Sequence, residues 1–183
     1  MNFRKTLDSD GFVDLGNFCP QKTPAETVEC IIEEIGCKLW GPTESLTVNA
    51  TDAKPLNTYA GNFGLGQLPL HTDLAHWNTP PRYLMLRCIV GDPTVTTLVM
   101  HHRNAIGEFP DSIVDRALFR PRRRLDGQMF LVRLRAKGVF RWDQLFLKPD
   151  NNEARQVCES LINKPPLNKV HSITLGKRGS NQL

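Results

Sequence analysis

The sequence predicts a mainly β domain, an antiparallel sandwich or barrel with helices on its outside. Three observations carry this expectation. Short alternating or continuous apolar runs recur along the chain. Only two segments have a helical period. The composition is 40% apolar and 23% charged over 183 residues, enough for a sizeable core without disulfide or metal staples.

The elements follow in order. Gly11-Phe12-Val13-Asp14-Leu15 alternates and reads as a short strand. Thr23 to Gly36 reads as a helix with both ends marked. Thr23 can N-cap it, Pro24 suits the first helical position and Glu26 completes a capping box. Val28, Ile31, Ile32 and Ile35 make one apolar face, and Gly36 suits the left-handed end. Lys38-Leu39-Trp40 begins an extended segment. Residues 41–70 are rich in Gly, Pro, Asn and Thr and read as loops with short strands.

Arg82 to Val90 is a nearly continuous apolar run, which predicts a buried strand. Gly91-Asp92-Pro93 turns the chain into a β-branched strand, Thr94 to Met100. Met129 to Arg135 sets Phe130, Val132 and Leu134 against Leu131, Arg133 and Arg135, a half-buried strand. Gly138 to Trp142 follows a short turn. Asn151 to Asn163 reads as the second helix, with Ala154, Val157, Cys158 and Leu161 as its stripe and Pro165-Pro166 as its stop. Val170 to Leu175 reads as a last strand. No repeat or composition shift divides the chain, so 1–183 reads as a single domain.

Several classes are excluded by composition. No stretch approaches eighteen consecutive apolar residues, so no membrane span is expected. The start lacks the apolar run of a secretory signal. The five cysteines (Cys19, Cys30, Cys37, Cys88, Cys158) are odd in number and form no C-x-x-C pair. That argues against a disulfide framework and a zinc ribbon, and fits a reducing, cytoplasmic setting. Asn49-Ala50-Thr51 matches a glycosylation sequon that such a setting leaves idle.

The net charge of +4 is uneven. Nine basic residues and one acid, Asp126, lie between Arg116 and Arg141; that district carries +8 and the remainder −4. Its arginines could meet phosphates of nucleic acid, grip carboxylates bidentately, or form a solvated face. The missing aromatic platform argues against nucleic acid.

His71-Thr72-Asp73 is the informative motif. In an extended chain, residues i and i+2 point the same way. An imidazole and a carboxylate then converge, as in the facial triad that leaves open positions on ferrous iron. A bare H-x-D is a common coincidence; its surroundings distinguish this one. Pro80-Pro81 follows, then the apolar run Tyr83 to Val90, then Thr97-Leu98. Gly11-Phe12-Val13, Asn57-Thr58-Tyr59 and Arg141-Trp142-Asp143 extend the pattern over nearly the whole chain.

This set of motifs resembles the taurine dioxygenase-like family (TauD/TfdA, clavaminate-synthase-like) of Fe(II)/2-oxoglutarate-dependent oxygenases. The resemblance implies a double-stranded β-helix, or jelly roll. It implies hydroxylation or oxidative decarboxylation of a small molecule, with Fe(II) as metal and 2-oxoglutarate as cosubstrate. It makes His71 and Asp73 iron ligands and catalytic residues, and gives Thr97 a hydrogen bond to 2-oxoglutarate. It places Asn57, Tyr59 and His76 at the substrate. Read from the residues alone, Thr97 is also an ordinary strand residue, and Tyr59, His76 and Trp77 are also packing aromatics.

The pattern has one break. The family's distal histidine, in a D-N-x-x-x-x-H-x-R-like run, and its 2-oxoglutarate arginine have no match here. His171 sits in the strand before that run, and Arg178 follows it too closely. The expectation is an incomplete β-helix domain lacking the distal His/Arg segment. His101 or His102 could supply a replacement ligand, or be structural. An incomplete sheet exposes apolar edges, which predicts self-association. The alternative function is a non-catalytic binding or interaction module of the same descent.

Overall fold

The computed structural model describes residues 3–16, 18–41, 43–44, 58–92, 94–123, 129–163 and 171–174, the last for backbone only. They form a mixed α/β fold, 34% helix and 12% strand, with small sheets of three and two strands. Among the described residues no sheet is closed or curled, which overturns the expected double-stranded β-helix. The residues fall into two compact units. One comprises Met1–Ser45, Met85–His101 and Leu167–Leu183, and the other Leu46–Leu84 and His102–Pro166.

In the first unit, α1 (Phe3–Asp10) precedes the segment expected as a strand. No strand forms at 11–15; Gly11 instead ends α1 at φ +80°, with its N–H on the Leu7 carbonyl at 3.0 Å. α2 (Pro24–Ile35) has the expected caps. The Glu26 N–H donates to Thr23 Oγ1 at 3.3 Å, and the Thr23 N–H donates to Glu26 Oε2 at 2.7 Å. Gly36 takes φ 69°, where a Cβ would be strained. The hydrogen bonds to Thr23 hold the Glu26 carboxyl below its ordinary pKa. Thr23→Ala is expected to cost about 1 kcal/mol. Since Glu26 is depressed on folding, its share is present above the unfolded carboxylate pKa and fades as pH falls through the folded one. Urea melts of both proteins at pH 7 and pH 3 check this; an equal difference at the two pH values would contradict it.

β1 (Thr96–Val99) lies within the expected strand and pairs antiparallel with β7 (His171–Thr174), Thr97 opposite Ile173. The predicted buried strand at 82–90 does not form. Leu84, Leu86, Ile89 and Val90 are 54%, 70%, 58% and 90% exposed. An apolar run becomes a strand only where a partner takes its backbone hydrogen bonds, and no strand pairs with it among the described residues. Lys38–Trp40 is likewise outside any strand, with Leu39 and Trp40 exposed.

The second unit holds the main core. α3 (Tyr59–Phe63), α4 (His102–Ile106) and α5 (Asp111–Arg116) were not expected. They are single-turn helices, too short for a sequence period to reveal. β2 (Leu118–Pro121) is the centre of a three-stranded antiparallel sheet, between β3 (Val132–Arg133) and β6 (Leu147–Pro149). The predicted alternation at 129–135 is present: Val132 and Leu134 are buried, Leu131 and Arg133 exposed. β4 (Arg135–Ala136) and β5 (Val139–Phe140) form a hairpin. Its turn, Lys137-Gly138, has φ of 50° and 75°, the positive pair that matches strand twist.

α6 (Asn152–Asn163) buries Ala154, Val157 and Leu161, as its stripe predicted. Asn151 caps it. Its Oδ1 accepts from the Ala154 N–H (3.0 Å) and the Leu118 N–H (3.1 Å), and its Nδ2 donates to the Arg116 carbonyl (2.8 Å). One side chain thus joins helix and sheet. Phe119 and Leu134, 1% and 0% exposed, form the centre. Phe119 meets Trp142 edge-to-face at 6.1 Å. Among the described residues no helix is long and apolar enough to cross a membrane.

Candidate metal site

The site lies on an irregular segment of the second unit, 69–78, fastened to residues 141–143. Thr72 stands between the two candidate donors. Its N–H donates to the Trp142 carbonyl at 2.7 Å, and its Oγ1 accepts from the Trp142 N–H at 3.0 Å. His71 and Asp73 therefore leave this anchored residue in fixed directions and converge, Nε2 to Oδ1, at 3.7 Å. The Pro69 carbonyl lies 2.8 Å from His71 Nδ1. A carbonyl can only accept, so Nδ1 carries a proton, and Nε2 is the nitrogen turned toward Asp73. Histidine metal ligands are oriented in this way.

Tyr59, at the start of α3, covers the imidazole at 4.4 Å between ring centres. Thr58 caps that helix through Oγ1, which accepts from the Gly61 N–H at 3.0 Å. Phe146 packs on Tyr59 (5.7 Å) and on His76 (4.6 Å). Asp143, 1% exposed, points its Oδ1 at the N–H groups of Leu145 (2.8 Å) and Phe146 (2.9 Å). Tyr59 Oη and His76 Nδ1 are buried with no hydrogen-bond partner among the described residues.

The electrostatics follow from burial and two carboxylates. Burial pulls the His71 pKa down, but Asp73, the Pro69 carbonyl and the more distant Asp143 outweigh it and hold it above its ordinary value. Burial, helped by the charge of Asp143, pushes the Tyr59 phenol well above its usual range. Burial keeps the His76 pKa low. The neighbourhood favours cations and stays neutral at Tyr59 and His76.

Of the expected site residues, His71, Asp73, Tyr59 and His76 come together in the second unit. Thr97 belongs to the first unit, on β1. Asn57 and the C-terminal run containing Arg178 lie outside the described residues. His102 stacks on Phe140 at 5.3 Å, and His101 belongs to the first unit. Among the described residues no group of three or more His, Cys, Asp and Glu is placed to hold a metal ion. The donors present thus fit a divalent ion held by one imidazole and one carboxylate, and do not themselves complete a facial triad.

The basic district is largely used internally. Arg135 pairs with Asp111 (2.6 Å) and Asp115 (2.8 Å), Arg120 with Asp150 (3.2 Å) and Arg116 with Glu153 (3.6 Å). Sequence reasoning gave no role to Asp143 or Arg141. The local signals are the Arg141-Trp142-Asp143 motif and the position of Asp143 two and three residues before Leu145 and Phe146, which suits an aspartate accepting from those amides.

Comparison of the chain with models of protein families, with curated proteins and with solved structures finds no match in any of the three.

Proposed function

We propose that His71 and Asp73 hold a divalent iron ion, and that the protein is a 2-oxoglutarate-dependent oxygenase of the taurine dioxygenase-like type acting on a small molecule. The supporting observation is the convergence of His71 Nε2 on the Asp73 carboxylate at 3.7 Å, with the ring oriented by the Pro69 carbonyl on Nδ1. One imidazole and one carboxylate are two of the three protein ligands of the ferrous facial triad.

When bound, iron and 2-oxoglutarate would supply oxidative chemistry at a substrate C–H bond. The chain's own residues orient and shield. Thr72 fixes the directions of both donors through Trp142. The Tyr59 ring covers one side of the imidazole. Asp143 adds negative charge that favours a cation. His76 Nδ1, buried and without a hydrogen-bond partner among the described residues, is a group a polar substrate could satisfy.

The test is anaerobic addition of Fe(II) and 2-oxoglutarate to the purified protein. The expected result is a visible metal-to-ligand charge-transfer band, followed on aeration by succinate. Absence of the band in folded protein would overturn the proposal. The two-donor set motivates a second reading, in which metal and 2-oxoglutarate bind without turnover; a band with no succinate would favour it.

A further inference from the structure

Leu74, the residue after the carboxylate donor, has φ +54°. A leucine in the left-handed region is strained, and such backbone persists only where its surroundings impose it. The turn's own bonds are few. The Ala75 N–H reaches the Thr72 carbonyl at 3.3 Å and the Trp77 N–H reaches the Leu74 carbonyl at 2.9 Å.

The remaining hold comes from Arg141, distant in sequence. Its Nη1 donates to the Trp77 carbonyl at 2.5 Å and to the Ala75 carbonyl at 3.5 Å, and its Nη2 donates to the Asn78 carbonyl at 3.1 Å. Arg141 is half-buried and pairs with no acid among the described residues. The ion-paired arginines of the district face carboxylates; this one meets three backbone carbonyls of one turn. A half-buried guanidinium loses hydration without gaining a counter-charge, so its placement has to serve the turn. Its own backbone is held in the second unit's core, where its N–H donates to the Leu134 carbonyl at 2.8 Å.

We infer that Arg141 is a positioning residue for the metal site, its guanidinium holding the 74–78 turn in the strained form that aims Asp73 at His71. The inference rests on the metal reading of those two residues for its consequence. The planar fork is essential to it, because a lysine ammonium is a compact point charge that cannot span three carbonyls in that arrangement.

The experiment titrates Co(II), a spectroscopic probe for the iron position, into wild type, Arg141→Lys, Leu74→Gly and the double variant. Amide hydrogen exchange at Ala75 and Trp77 is read in the same metal-free samples. Arg141→Lys is expected to weaken Co(II) binding about 10- to 100-fold, the range for lost outer-shell support, and to speed exchange at both amides. Leu74→Gly, which accepts positive φ without strain, is expected to restore most of the affinity in the double variant. A merely structural arginine would give no such rescue. Arg141→Lys with unchanged Co(II) affinity and unchanged exchange overturns the inference. Lost affinity that glycine fails to restore also overturns it. If wild type takes up no Co(II), the metal reading fails, and the positioning role falls with it even where the exchange data confirm a clamp.

Discussion

His71→Ala is expected to weaken Fe(II) binding by more than about 100-fold, beyond the 10- to 100-fold range of outer-shell partners. The site has two protein donors among the described residues, so removing one leaves a single carboxylate that is half-exposed: the Asp73 side chain is 51% accessible and the His71 side chain 18%. The imidazole is also the better positioned donor. The Pro69 carbonyl holds its Nδ1 at 2.8 Å and the Tyr59 ring covers it at 4.4 Å. Asp73→Ala is expected to lose comparable affinity. Isothermal titration under argon measures both. Binding that survives His71→Ala within a factor of three would place the metal elsewhere.

Phe119→Ala is expected to destabilise the fold by about 3–5 kcal/mol, the usual cost of truncating a buried aromatic. In a chain of this size, Tm falls roughly 2–4 °C per kcal/mol, so a loss of about 10 °C follows. Phe119 is 1% exposed, lies on the central strand β2 and packs edge-to-face on Trp142. Trp142 in turn carries the backbone groups that hold Thr72. The cavity therefore forms beneath the site's anchor, and the variant is expected to lose metal affinity as well as stability. Calorimetry and the Co(II) titration read the two effects; a Tm within 2 °C of wild type would show that the core collapses to fill the space.

Exposed residues 84, 86, 89 and 90 explain why the β-rich expectation failed. Their apolar run carries the signature of a buried strand, but burial requires a facing layer and a paired edge. Neither is a property of the run itself. The same physics broke Met129 to Arg135 into two short pieces, since only Val132 and Arg133 find partners on β2.

What the sequence determined by itself is local. The capping box and terminal glycine of α2 and the apolar stripe of α6 each depend on residues within a few positions of one another. Their energetics are therefore present in any fold that contains them. Tertiary structure alone decided which strands pair, that the charge of Asp143 is felt by His71, and that Arg141 grips the 74–78 turn. The bonds of Trp142 to Thr72 and of Arg141 to the turn join residues 63 to 70 positions apart. They form only when the core brings the segments together, because the backbone groups they satisfy are otherwise open to water.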